Sequence, residues 1–83
     1  MENEVIVNVL FLFEKGSKTE VFAYFPNKIS HGEYRVSYSH IGQHGDCHPD
    51  YASECIQVPY RRHKALLMEL NEIGYNVNIL NEF

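Results

Sequence analysis

From Val5 to Phe13 the chain is apolar at every position but Asn8. Val5, Val7, Val9, Phe11 and Phe13 fall on one parity, and Ile6, Leu10 and Leu12 fall on the other. Successive side chains of a strand point to opposite faces, so this segment is a strand that must be covered on both sides. An 83-residue chain has little material for that task. It forms one domain and buries only about 60% of its unfolded surface. One helix covers one face of a small sheet. On the other face Ile6, Leu10 and Leu12, with Phe22 and Tyr24 beside them, would form an exposed apolar patch. We therefore expect self-association through the sheet, as a homodimer. The alternative is a monomer in which the segment 27–33 or the termini fold over that face.

The remaining elements follow from turn signals and periodicity. Glu14 to Lys18 contains Gly16 and reads as a turn, after which Thr19 to Phe25 resumes a β-branched and aromatic pattern ended by Pro26. Asn27 to Glu33 reads as a polar connection, and Tyr34 to His40 as a third, antiparallel strand. Gly42, Gly45 and Pro49 interrupt regular structure, so the segment 40–48 reads as a loop. Pro49 opens a short helix to about Cys55, and Pro59 opens a longer one with Leu66, Leu67, Leu70 and Ile73 on one face. Gly74 follows as a left-handed terminator, with Leu70 and Tyr75 placed for the hydrophobic contact of a Schellman motif. Tyr75, Val77 and Ile79 then alternate with Asn76 and Asn78 as a closing strand. The fold class is α+β: an antiparallel sheet of about four strands in the order β-β-β-short α-α-β, with one main helix on one face.

Seven Lys and Arg against eleven Asp and Glu give a net charge of -4, which supplies no overall attraction for a nucleic-acid backbone or an anionic membrane. No apolar run approaches the roughly 18 residues of a membrane span. The acidic start Met1-Glu2-Asn3-Glu4 differs from a secretory leader, and we expect a cytoplasmic protein. In that compartment two cysteines are thiols or metal ligands rather than a disulfide.

His40, His44, Cys47 and His48 lie within nine residues, with Cys55 beyond them. Zinc takes four nitrogen or sulfur ligands, and a glycine-bearing loop can wrap around it. The candidate set is His44, Cys47, His48 and Cys55, with His40 as a substitute. The spacing matches no finger or ribbon pattern, and packing roles for the same residues are the competing reading. Cys47 beside His44 or His48 and Asp46 or Asp50 contains the residue types of thiol catalysis without a nucleophile motif, and no enzyme is expected. Arg61 and Arg62, in the first turn of the long helix, oppose its dipole. They form a candidate anion or partner site, against the plainer reading of a solvated turn. His63, one turn before Leu67, is expected on the core face. Tyr34 and Tyr38 with Phe22 and Tyr24 could stack bases, but the acidic chain argues against nucleic acid.

The segments Ser37-Tyr38-Ser39-His40-Ile41-Gly42-Gln43-His44 and Glu69-Leu70-Asn71-Glu72-Ile73-Gly74-Tyr75 resemble small uncharacterised proteins of bacterial and phage or mobile-element origin. The resemblance covers the last 50 residues or so and implies a compact accessory protein, with no catalytic residues; neither the cysteines nor Arg61-Arg62 belong to it. The expected function is a non-enzymatic interaction module with a protein partner, its surface formed by the His-rich loop with Tyr38 and His40. The alternatives are a zinc-binding protein using residues 40–55 and a phage-type inhibitor presenting an acidic surface to a host protein.

Overall fold

The computed structural model describes residues 6–39 and 43–80. His40, Ile41 and Gly42, and with them the first part of the expected loop, lie outside the described residues, as does the start of the first strand before Ile6. The elements are β1 (Ile6–Phe13), β2 (Val21–His31), β3 (Tyr34–Ser39), β4 (Gln43–Cys47), α1 (Pro49–Ser53), α2 (Tyr60–Ile73) and β5 (Asn76–Ile79). They build an α+β fold around a single five-stranded sheet of order β4-β3-β2-β1-β5. No helix among the described residues is long and apolar enough to cross a membrane.

Three features differ from the sequence reading. The sheet is mixed, because β5 pairs parallel with β1, Val7 opposite Val77 and Val9 opposite Ile79. A parallel neighbour needs a long crossover, and α2 lies in it. The segment after residue 42 is a strand: β4 pairs antiparallel with β3 from Ser39↔Gln43 to Arg35↔Cys47. Finally, β2 does not stop at Pro26. Phe25 pairs with Val36 and Ile29 with Arg35, so Pro26, Asn27 and Lys28 form a bulge opposite two consecutive residues of β3. A bulge is where a strand tolerates a residue without an N–H. The strand then reaches a two-residue hairpin loop, with Gly32 at φ 56 supplying the positive φ that such a loop requires at its first position.

The first face of the sheet carries Val9, Phe11, Phe13, Ala23, Phe25 and Tyr38, closed by Leu66 and Leu70 of α2 and by Val58. His63 joins this face as expected, buried and stacked on Phe11 with ring centroids 4.1 Å apart. Ile73 does not, remaining 48% exposed. The helix ends as its sequence predicts: Gly74 has φ 118, its N–H donates to the Asn71 and Leu70 carbonyls, and the Tyr75 N–H donates to Leu70.

The second face is not an open patch. Leu10 and Leu12 are fully buried, and Phe22 and Tyr24 are 3% exposed. Cys47, Ala52 and Cys55 complete that cluster, with Tyr51 against it. The cover is α1 and its flanks, with Leu80 after β5 also against the cluster, rather than the segment 27–33. From α1 the chain crosses to the other face beside the end of β1 that lies beyond its pairing with β5. There the Phe13 N–H donates to the Ile56 carbonyl and the Val58 N–H to the Phe11 carbonyl, each at 2.9 Å. One short helix and one long helix thus cover opposite faces, and of the five residues expected in the patch only Ile6 stays exposed, at 62%.

Candidate functional site

The residues nominated from sequence are distributed over both faces. His44 stands opposite Tyr38 in the β3–β4 register and meets its ring edge-on, with centroids 4.8 Å apart. Its Nε2 lies 2.9 Å from the Tyr75 hydroxyl, so it links the edge strand to the segment after α2. Cys47, three residues on, faces the other way and is buried in the second cluster. Cys55 is buried there too, its thiol donating to the Tyr51 carbonyl at 3.3 Å. His48 is the N-cap of α1: Nδ1 accepts the Asp50 N–H at 3.1 Å, and Nε2 lies 3.3 Å from Glu33 Oε1. An Nδ1 that accepts leaves the ring proton on Nε2, directed to the carboxylate. Among the described residues no group of three His, Cys, Asp or Glu side chains is arranged to hold a metal ion.

The partner-binding set is likewise divided. Tyr38 is 1% exposed and its hydroxyl meets the Glu69 carboxylate, which fastens β3 to α2 and removes the tyrosine from the surface. The Arg62 guanidinium lies over the Phe13 ring, 5.6 Å from the centroid, and donates to the Lys18 carbonyl at 2.9 Å. Arg61 is exposed beside it. Through these contacts one arginine ties the helix start to the β1–β2 loop. The aromatic platform is also absent from these residues, because Phe22 and Tyr24 are buried on one face and Tyr38 on the other.

A different constellation does form a concavity. Between the second face of the sheet and α1 lies a cavity of about 270 Å³. Phe22, Tyr34 and Tyr51 contribute aromatic walls, Ser37, Ser39 and Cys47 the floor, and Glu14, Asp46 and His48 the polar boundary. It opens where Tyr34 is 41% and Asp46 43% exposed. The β3 alternation explains the floor: with Tyr38 committed to the first face, Ser37 and Ser39 must face the second. Gly45 sits opposite Ser37, and a Cβ there would come within 3.4 Å of the serine Oγ.

The walls are fixed from outside. The Tyr51 hydroxyl donates to Glu14 at 2.6 Å and accepts the Lys15 N–H at 2.9 Å, joining α1 to the end of β1. The bond to Glu14 pushes the phenol up to about 12, so Tyr51 keeps its proton. Tyr34 stacks on His31 at 5.1 Å and meets His48 edge-on at 5.4 Å. Asp46 accepts from Ser30, and its other oxygen lies 3.4 Å from His31 Nδ1.

This chemistry is better suited to holding than to reacting. Burial, with the neighbouring Cys55 and Glu14, pushes the Cys47 thiol up to about 11, and the nucleophile is the thiolate. Ser30, His31 and Asp46 are the residue types of a hydrolytic triad in a different connection. The serine hydroxyl donates to the aspartate, and both residues approach the same ring nitrogen of His31, which leaves no relay from serine through the ring to the carboxylate.

The sequence reading located this region of the chain but missed Glu14, Phe22, Ser37, Ser39, Asp46 and Tyr51 as members of one site. They come from five different segments, and the only local signal is the serine parity of β3. No protein-family model matches the chain, and no curated protein or solved structure matches it.

Proposed function

We propose that this chain is a small non-enzymatic interaction module whose recognition element is the cavity between β3–β4 and α1. The observation that supports this reading is the cavity itself: aromatic walls, hydroxyl groups on its floor and carboxylates at its rim, assembled on a sheet and clamped by the Tyr51–Glu14 bond. Binding sites combine apolar walls with a few fixed polar groups in this way. At about 270 Å³ the space suits one side chain of a partner rather than a larger cofactor. The test is amide chemical-shift mapping against a panel of small cationic, anionic and neutral organic probes. The reading expects shifts concentrated on Phe22, Ser37, Ser39, Cys47 and Tyr51; shifts confined to α2 or β5, or none at all, refute it.

Self-association remains part of the proposal, moved from the sheet face to its edge. The observation that favours it is β5, an edge strand that carries no charge from Asn76 to Ile79 and borders a side-chain ladder. Asn78 donates to Asn8 at 2.9 Å and Asn8 to Asn27 at 2.6 Å, a series of amides that a second copy could extend. Edge strands without charge are prone to pair. Native mass spectrometry of the wild type and of Asn78→Lys decides the point: the proposal expects a dimer that the lysine dissociates, and a monomeric wild type ends it.

A further inference from the structure

The cavity between β3–β4 and α1 is selective in charge, and we propose that it takes an organic cation: the guanidinium or ammonium group of a basic side chain on a partner protein. The inference rests on the reading of the cavity as the recognition element and names the chemistry that it recognises.

The balance of charge at the walls favours a cation. Glu14 and Asp46 both line the space. Among the described residues Glu14 enters no ion pair, and its hydrogen-bond partner is the neutral Tyr51 hydroxyl. Asp46 is met by the Ser30 hydroxyl and by His31. The two nearby cations are engaged elsewhere. The Lys15 ammonium pairs with Glu54, and the Arg35 guanidinium donates to the Pro26 carbonyl at 3.2 Å and the Glu33 carbonyl at 2.9 Å. Among the described residues Glu14 therefore has no matching cation, while Asp46 shares His31. Glu33, met by His48 at the rim, adds negative charge, in a chain whose net charge is already -4. A concave, apolar-walled site of one sign focuses the field and attracts the opposite charge.

The aromatic walls favour the same charge. Phe22, Tyr34 and Tyr51 surround the space, and aromatic rings attract cations through their quadrupoles while offering nothing to an anion. An anionic ligand would meet the unpaired Glu14 carboxylate. A neutral ligand would use the rings and serines but leave the charge unanswered.

The cavity is smaller than a typical small-molecule site but sufficient for the end of an arginine or lysine side chain. Its opening beside Tyr34 and Asp46 lets the rest of the partner remain outside.

The experiment titrates the full chain with N-acetyl-arginine amide and N-acetyl-lysine amide, and with the uncharged isostere N-acetyl-citrulline amide, reading amide shifts at the cavity. A single side chain should bind at about millimolar affinity. The cations should outbind citrulline by about fivefold or more, the size of one cation–aromatic or exposed ion-pair contact, and should weaken as salt is raised. Glu14→Gln keeps the shape and the acceptor for Tyr51 while removing the charge, and should erase that preference. Asp46→Asn provides the same test if Glu14→Gln does not fold. If citrulline binds as tightly as arginine and salt has no effect, the cation assignment is overturned while the cavity remains the recognition element. If none of the probes shifts the cavity amides, both proposals fail together.

Discussion

Replacing Leu12 by alanine tests the internal covering of the second sheet face. Leu12 is fully buried, stands opposite Phe22 in the β1–β2 register, and packs in the cluster completed by Cys47, Ala52 and Cys55. Truncating a buried leucine removes its transfer energy and leaves a cavity, at a cost of about 2–5 kcal/mol. A domain of this size has about 4–12 kcal/mol in total, at 0.05–0.15 kcal/mol per residue. In urea, with an m-value of about 1–1.5 kcal/mol/M for so small a chain, a loss of about 3 kcal/mol lowers the midpoint by about 2–3 M. Ile6 lies on the same parity of β1 but is 62% exposed, so Ile6→Ala should change stability by no more than about 0.5 kcal/mol. The assay is urea unfolding followed by circular dichroism at two protein concentrations, in an Asn78→Lys background in which the β5 edge does not associate. A face covered within the chain gives a midpoint independent of concentration. If a second copy covered it instead, each tenfold dilution would cost about 1.4 kcal/mol. A loss below about 1 kcal/mol for Leu12→Ala, or a midpoint that falls on dilution, refutes the reasoning.

Burial lowers the His63 imidazole below its ordinary value of 6.5, so the unfolded chain binds the proton first. Its contribution is complete above pH 6.5 and is lost as pH falls toward the lowered folded value, with a slope of at most about 1.4 kcal/mol per pH unit; urea midpoints between neutral and mildly acid pH should fall in the wild type and fall less in His63→Leu. Equal slopes would contradict it. Gly74→Ala places a Cβ at φ 118 and should cost about 1–2 kcal/mol in thermal unfolding, and an unchanged Tm would contradict the left-handed cap. With its thiol near 11, about one Cys47 in a thousand is thiolate at pH 8, so alkylation of the native chain should be far slower than of the chain in urea; equal rates would show the thiol to be exposed.

What the sequence disclosed and what it hid have separate physical causes. Alternation found β1 and β3, and Gly74 after a leucine-bearing helix fixed the end of α2, because each signal is local. β4 was missed because Gln43-His44-Gly45-Asp46-Cys47 contains no β-branched or aromatic residue; it is a strand by virtue of its pairing with β3. Pro26 concealed the rest of β2, since a bulge that accommodates proline cannot be read without the partner strand. Four of the five residues of the expected apolar patch are buried, and α1 was not foreseen as their cover. A five-residue helix with an alanine and a half-buried tyrosine, packed beside two cysteines and joined by Leu80, covers them. The cavity was invisible for the same reason, because Glu14 and Tyr51 are 37 residues apart and meet only through that covering.

The most direct measurement of the recognition proposal is an intermolecular nuclear Overhauser experiment on the full chain with N-acetyl-arginine amide. The account predicts contacts from the arginine side-chain methylenes to the ring protons of Phe22, Tyr34 and Tyr51. Contacts to residues of α2 or β5, with none to those three rings, would contradict it.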